Sequence, residues 1–439
     1  MCGIAGFSLF NFNEGGETSL EAMHKAIHHR GPDASGMYID EHIGLCHRRL
    51  SILDLSEAGN QPMYSKEGDL VIVFNGEIYN FLELRAELEN DGVTFKSHTD
   101  TEVILELYAR EGTKCLDKLN GMFAFALWDK NKQELFIARD RLGKKPLYYF
   151  NDNGRFAFGS EIKAILALEN IPREIRLDAV YDFFAYQYVP DPKSIFKHIH
   201  KLPPAHYLIL NKDGFSIHEY WDLSFKNTTS ASEDANKAQL KTLLEKVTKQ
   251  RMISDVPLGA FLSGGVDSSG VVAMMAQASE TPVKTCTIGF DDKAFNEADF
   301  AREIAEKYET EHHEFTVHQN VSDRLEHIVS FFDEPFADPS LVPTFFVSEL
   351  ARKAVTVALA GDGGDEMFAG YEKYSIDDVE NKLRSKFPEA VRKSVFPHLA
   401  KLAGKVPGTV GKKAKSLLTS LSHEPAMGFY ITNSMMTDE

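Results

Sequence analysis

The chain lacks a basic excess. Its 439 residues carry 48 Lys and Arg against 65 Asp and Glu, a formal net charge of −17. Nucleic acids and anionic membranes are bound by clustered cations that displace counterions, so the charge counts against both partners. A small anionic substrate, held locally, stays open. Long apolar runs are also missing: no stretch approaches the roughly 18 residues that cross a bilayer. The start of the chain shows no basic segment leading into an apolar one, so no signal peptide is read and a cytoplasmic protein is expected. Cysteine is scarce. Cys2, Cys46, Cys115 and Cys286 are scattered, with no C-x-x-C pair, which excludes a disulfide framework and a structural zinc site. There is no G-x-x-x-x-G-K-[ST] loop, no repeat of 20–50 residues and no low-complexity tract.

What is present is a globular composition, 43% hydrophobic and 26% charged, long enough for two domains or three. The chain's most informative stretch is Phe261-Leu-Ser-Gly-Gly-Val-Asp-Ser-Ser269. Val256–Ala260 before it reads into a short buried strand, and Gly270–Ala276 after it as a helix. A Gly-Gly loop between strand and helix presents free N–H groups and the positive end of a helix dipole. Gly264 and Gly265 let phosphate oxygens approach the backbone, and Ser263, Ser268 and Ser269 add hydroxyls. Asp267 is acidic where an anion should sit, which suits Mg²⁺ against pyrophosphate. Without a phosphate-loop Lys, a nucleotide cleaved between its α and β phosphates is the sharper expectation. The bland alternative is a Gly-Ser turn capping an ordinary helix.

Cys2 follows Met1 directly. If Met1 is removed, the thiol sits beside its own α-amino group, whose pKa of about 7.7–8.0 lets a neutral amine serve as base for a thiolate. The bland alternative is a small residue in a first strand. Val71–Phe74 reads as a buried strand ending in Asn75-Gly76-Glu77. A helix with Phe81, Leu84 and Leu88 inward follows, ended by Gly92, and Asp100 reads as the N-cap of the next helix. From Gly121 the texture is strands separated by Asp- and Asn-rich turns.

The motifs Cys2-Gly-Ile-Ala-Gly-Phe, Arg30-Gly-Pro-Asp, Arg49-Leu-Ser-Ile, Asn75-Gly-Glu-Ile-Tyr-Asn, Asp100-Thr-Glu and Gly121-Met-Phe-Ala-Phe-Ala together resemble the class II glutamine amidotransferases. The match covers about the first 200 residues in the family's order and spacing. It implies a four-layer αββα N-terminal-nucleophile domain over residues 2–210. It implies attack of Cys2 on the glutamine side-chain amide, with Asn75 and Gly76 as oxyanion hole. Arg49 would pair with the glutamine α-carboxylate and Asp100 with its α-ammonium, while Glu77 and the backbone near Ile52 line the pocket. The residue types suit these roles: an amide donates to an oxyanion, and a guanidinium fork fits a carboxylate. Cys46, Cys115 and Cys286 are expected in the core.

Thr228–Asn236 is the linker candidate, and Ala238–Met252 a helix. Beyond it strands and helices alternate: Val283–Gly289, Glu297–Tyr308, His313–Val317, Ser322–Phe332, Pro343–Ala354 and Val355–Ala360. This order implies a doubly wound parallel sheet, α/β in class, with ligands beyond the carboxyl ends of its strands. Both the Ser263 loop and Gly361-Asp-Gly-Gly-Asp-Glu366 follow strand ends.

These loops, with Thr287-Ile-Gly-Phe and Asp333-Glu-Pro, resemble the ATP-pyrophosphatase domain of asparagine synthetases, placed at residues 235–439. The resemblance implies a carboxylate activated as an acyl-AMP and attacked by ammonia that travels inside the protein. Asp267 and Asp365 would hold Mg²⁺ and pyrophosphate. Leu262, Ile288 and Gly361 would contact adenosine, and Ser263, Gly264, Gly265, Ser268 and Ala360 complete the ATP site. Asp362 stands where the family often has Glu, with a role in forming and resolving the acyl-AMP. Ala360 stands for a frequent Ser and Ala205 for a usual Gly. Asparagine synthetases continue beyond this point with a Lys and an Arg-rich stretch, so a fragment or an incomplete second site is expected. The expected substrates are glutamine, ATP and aspartate. A sugar acid in place of aspartate, or a protein reduced to glutaminase or nucleotide binding, are the alternatives. A homodimer is left open.

Overall fold

The computed structural model describes residues 1–10, 16–226, 228–290, 297–317 and 321–434. Met435 and Met436 lie outside them.

Alternation of apolar and small residues builds two antiparallel six-stranded sheets. In the first the order is Ile199–Lys201, Tyr148–Asp152, Arg155–Gly159, Gly3–Ser8, Ile43–Arg49, Ala34–Ile39. In the second it is Gly214–Glu219, His206–Asn211, Glu134–Arg139, Gly121–Asp129, Leu70–Ile78, Met63–Tyr64. Their facing sides share one core, in which Ile4, Leu45, Val71, Val73, Trp128 and Phe158 are essentially inaccessible. Strands buried on both faces need a second apolar side, and helices supply it. Glu17–Ala26 and Ile162–Leu166 cover the first sheet through Leu20, Met23 and Ile165. Phe81–Asn90 and Asp100–Glu111 cover the second through Leu84, Leu88, Val103 and Leu107. The result is four layers, αββα. Full burial of each such aliphatic chain is worth about 1.5–3 kcal/mol.

The second half is built on a four-stranded parallel sheet, Glu311–Val317, Lys284–Phe290, Leu258–Phe261, Val357–Leu359. Helices connect its strands, as the alternating period requires. From Glu372 onward the described chain is helical.

Several sequence expectations are corrected in detail. The strand beginning at Leu70 does not stop at Phe74 but runs to Ile78. Asn75, Gly76 and Glu77 therefore pair with Ala124, Phe123 and Met122. The helix after the Ser263 loop starts at Val266 rather than Gly270, so Asp267, Ser268 and Ser269 lie in its first turn. Thr99, not Asp100, is the N-cap: its side chain accepts from Glu102 N–H, and Asp100 is the first helical residue. The helix read from Ala238 begins at Glu233, capped by Ser232, which takes up half of the proposed linker. Two of the changes have a side-chain cap as local cause, Thr99 and Ser232. Ala205 has φ of +58°, the left-handed region, which explains why Gly is usual there.

The halves meet through hydrogen bonds and ion pairs. Asp333 pairs with Lys163 at 3.3 Å and accepts its N–H at 2.8 Å. Glu334 pairs with Lys201 at 2.5 Å and accepts from Ile195 N–H at 3.2 Å. Burial pushes both carboxyls up from their ordinary values in spite of these partners. Asp255 donates its N–H to the Ile52 carbonyl at 3.0 Å and accepts from Asp54 N–H at 2.7 Å.

Candidate active site

The first strand delivers Cys2 to the end of its sheet. Its carbonyl accepts from Arg30 Nε at 2.9 Å, and its thiol lies 3.6 Å from the Leu50 carbonyl. Arg30 is itself held by Glu161 at 2.7 Å. Burial raises the Cys2 thiol pKa, which its hydrogen bond to Leu50 and the nearby amino terminus oppose. Burial likewise lowers the Met1 amino group to about 6. Of the four cysteines, Cys2 alone is partly exposed; the other three are fully buried.

Asn75 is 1% exposed, and neither its Nδ2 nor its Oδ1 has a partner. An orphaned buried amide is costly, and one lining the cavity that holds Cys2 is a donor held ready for a ligand oxygen. A Cβ on neighbouring Gly76 would fall 2.3 Å from the Met122 carbonyl, so only Gly fits this close strand pairing.

Arg49 is 5% exposed. Its Nη1 donates to Ser56 O at 3.0 Å and Asn60 Oδ1 at 2.8 Å, and its Nη2 to the carbonyls of Leu53 and Asp54. These acceptors are neutral and fix the guanidinium; burial lowers its pKa, which Cys2, Asp54 and Asp33 oppose. The surface ion pair considered for Arg49 is not found among the described residues. Asp100 accepts from Ile78 N–H at 2.8 Å. Burial first, then the proximity of Asp100, drives Glu77 well above the ordinary carboxylate range; burial raises Asp100 as well. Two buried acids side by side share protons reluctantly. A bound α-ammonium would relieve them.

This pair yields a pH prediction. Raised acids hold protons that the unfolded chain has already lost, so their contribution to stability falls as pH rises through their folded pKa values. Binding an ammonium needs the ionised form, which gains in the same direction. Glutamine KM is expected to fall as pH rises from about 6 to about 8. A flat or rising KM over that range would speak against Asp100 as the ammonium partner.

Cys2, Arg49, Ile52, Asn75, Gly76, Glu77 and Asp100 line one cavity of about 710 Å³. Its opposite wall comes from the second half: Gln250, Arg251, Ile253, Thr356 to Ala360, Asp362 and Gly363. Of the second half's two Gly/Asp loops, the one at Gly361 reaches this cavity through Asp362 and Gly363, and no residue of the Ser263 loop lines it.

The Gly/Asp loops of the second half also touch. A Cβ on Gly361 would lie 2.7 Å from Ser268 N, and one on Gly364 would lie 2.4 Å from Asp267 Cγ. Glycine at both positions lets the loops close to backbone contact. Ser263 and Ser268 hydroxyls bond each other at 3.0 Å and accept, respectively, from the N–H groups of Gly265 and Ser263, each at 3.3 Å, which ties the loop internally. Gly264 has φ of +82°, and a Cβ there would meet Phe300. The Leu262 side chain is buried in the core of this half, so only its backbone faces the loop. Ile288 lies half-buried on its strand, and Asp362 is exposed at the cavity rim. The carboxylates of Asp267 and Asp365 make no hydrogen bond or ion pair among the described residues. No group of three His, Cys, Asp or Glu side chains that could hold a metal occurs among those residues. Two free carboxylates beside a phosphate-type loop still fit Mg²⁺, which takes one or two carboxylates and completes its shell with phosphates and water.

Fold and site together define a two-part chain of the amidotransferase class. Residues 1–221 match a family model described as glutamine amidotransferase domain, and residues 239–427 match one described as asparagine synthase. The Methanocaldococcus jannaschii protein named, by inference, asparagine synthetase [glutamine-hydrolyzing] 2 is 43% identical over 84% of this chain and 76% of its own. The Bacillus subtilis asparagine synthetase [glutamine-hydrolyzing] 1 is 37% identical over 100% and 68%. Among solved structures, the B. subtilis glutamine phosphoribosylpyrophosphate amidotransferase overlays with a TM-score of 0.39 at 18% identity, covering 63% of this chain and 64% of its own, too loosely to add to the topology. The chain belongs to the glutamine-hydrolysing asparagine synthetase family. Among the described residues no helix is long and apolar enough to cross a membrane.

Sequence reasoning passed over Lys145, Arg30, Glu161 and Asp255. Arg30 stood inside a quoted motif, and Lys145 follows Asp140-Arg-Leu-Gly-Lys, a turn signal that could have been pursued.

Proposed function

We propose that this protein makes asparagine from aspartate, glutamine and ATP, releasing glutamate, AMP and pyrophosphate. The observation that carries the reading is the cavity walled by Cys2 and the glutamine pocket on one side and Asp362 on the other. The Cys2 sulfur adds to the glutamine side-chain carbon, with Asn75 Nδ2 and the Gly76 N–H facing the oxygen that becomes negative. Arg49 and Asp100 hold the α-carboxylate and α-ammonium. The freed ammonia crosses the shared cavity, where it escapes protonation by bulk water.

On the far side ATP lies along the Gly264–Gly265 turn, its phosphates on the helix N-terminus that carries Asp267 and Ser268. Leu262, Ser263, Ile288, Ala360 and Gly361 surround the adenosine end. Asp267 and Asp365 would hold Mg²⁺, which when bound screens the charge of the departing pyrophosphate. Asp362, one methylene shorter than Glu and at the cavity rim, is the base facing the incoming ammonia.

The test is glutamine carrying ¹⁵N in its side-chain amide, supplied with ATP and aspartate. Labelled asparagine and stoichiometric AMP are expected, even in a pool of unlabelled ammonium. Turnover with uronic acids but not aspartate would shift the acceptor. Glutamate release without AMP would reduce the protein to a glutaminase.

Asp255 supports the pocket from the second half. Its carboxylate holds Asp54 N–H, and the carbonyls of Leu53 and Asp54 hold Arg49. Asp255→Ala is expected to raise glutamine KM by about three- to tenfold, the worth of one hydrogen bond of about 1 kcal/mol. Ammonia-supported synthesis should be unchanged. An unaltered KM would dismiss the link.

A further inference from the structure

The wall beside Cys2 carries a cation that the glutamine pocket leaves unused. Lys145 is 5% exposed and lines the shared cavity with Cys2 and Glu77. Its backbone is fixed from two sides. Asp140, 1% exposed, accepts through Oδ2 from the N–H groups of Phe123 and Lys145, at 3.1 and 3.0 Å. Its Oδ1 accepts from those of Leu142 and Lys144. Arg139 Nε donates to the Lys145 carbonyl at 2.9 Å, and its other nitrogens hold the carbonyls of Gly143 and Leu202.

With that turn locked, the side chain reaches the amino terminus, where Nζ donates to the Met1 thioether at 3.1 Å. This is the ammonium's one acceptor among the described residues, and a thioether is a weak one. No carboxylate there closes an ion pair with it. Burial depresses its pKa, opposed by Glu77 and Cys2 and reinforced by Arg30, the charged groups that face it together with Asp140. A buried ammonium without a counter-anion is costly. A fold that holds one rigidly beside a cysteine recovers the cost when an anion forms there. Loss of Met1 would remove the thioether and leave the sulfur of Cys2 as the next group along the chain.

We propose that Lys145 is the counter-cation of the Cys2 thiolate in glutamine hydrolysis. The inference rests on the reading of Cys2 as nucleophile. The Cys2 thiol gives its proton to the neighbouring α-amino group, and the sulfur bonds to the glutamine amide carbon. The carbon–nitrogen bond then breaks, and the nitrogen leaves as ammonia with that proton. Water adds to the thioester carbon, releasing glutamate and restoring the thiol. Lys145 keeps its proton throughout and acts through its fixed charge.

The experiment is the pH dependence of Cys2 alkylation by iodoacetamide in the full chain without glutamine, read by peptide mass. Lys145→Gln is expected to move the midpoint up by about one pH unit or more, and Lys145→Arg to restore most of the shift. Coincident profiles for wild type and Lys145→Gln would overturn the proposal. Should Lys145→Gln fail to fold, the wild type decides: a midpoint below about 8.5 supports it, and one at or above that ordinary thiol value overturns it. Glutamate release is measured alongside. A wild-type protein with a low midpoint that never hydrolyses glutamine refutes the glutaminase reading, and with it the role in hydrolysis, while the pairing of Lys145 with the thiolate stands. Hydrolysis with coincident profiles refutes this one alone.

Discussion

Cys2→Ala is expected to lower glutamine hydrolysis by about 10³-fold or more, while synthesis from added ammonium salts survives. The size follows from the lack of a substitute. Cys46, Cys115 and Cys286 are buried, and burial raises the thiol pKa of each. The Asn75 amide and the Arg49 fork would still bind glutamine, but nothing in the cavity could attack it. Removing a thiol leaves a gap of one heavy atom at a half-buried position, so the fold should persist. The measurement is glutamate release, with AMP formation from ammonium chloride as the control. Glutamine hydrolysis that survives the substitution would end the N-terminal mechanism. Loss of both activities would mean that Cys2 serves the second half too.

Asp267→Asn is expected to reduce ATP-dependent AMP formation by about 100-fold or more, equivalent to about 2.7 kcal/mol of barrier, with glutaminase activity little changed. The amide has the shape of the carboxylate and no partner to lose among the described residues, so the defect should lie in chemistry rather than in folding. Raising Mg²⁺ should recover part of the rate if the lost charge holds the metal. Gly364→Ala should give a similar deficit by a different route. Its new Cβ would fall 2.4 Å from Asp267 Cγ, so the carboxylate must move even though its charge remains, and added Mg²⁺ should not help. Normal pyrophosphate release from Asp267→Asn would take the metal away from this loop.

Much of this protein could be read along the chain. The Cys2, Arg49, Asn75 and Asp100 motifs and the two Gly/Asp loops are short. Each couples a residue type to one chemistry, and the apolar period around each identifies a strand or a helix. Element ends were less legible. Asn75-Gly76-Glu77 reads as a turn by composition, yet it is strand, because pairing with Gly121–Asp129 holds Gly in extended form. Asp100 and Thr99 are both good caps on paper; the carboxylate instead turns toward Ile78 N–H in the glutamine pocket, leaving the hydroxyl to cap.

By itself the sequence determined the two halves, the first as αββα through its resemblance to a family and the second as a parallel sheet through its alternating period, and it marked Cys2 and the two Gly/Asp loops as candidates, since their residue types lie close together in the chain. Only the tertiary structure decided that Cys2 and Asp362 share one cavity, that Asp255 braces the loop holding Arg49, and that the Lys145 ammonium ends beside the amino terminus. Those contacts join residues some 140 to 360 positions apart. Their cause is the packing of the sheets over shared apolar surface and the hydrogen bonds and ion pairs that join the halves, and no local spacing records which distant groups that closure brings together.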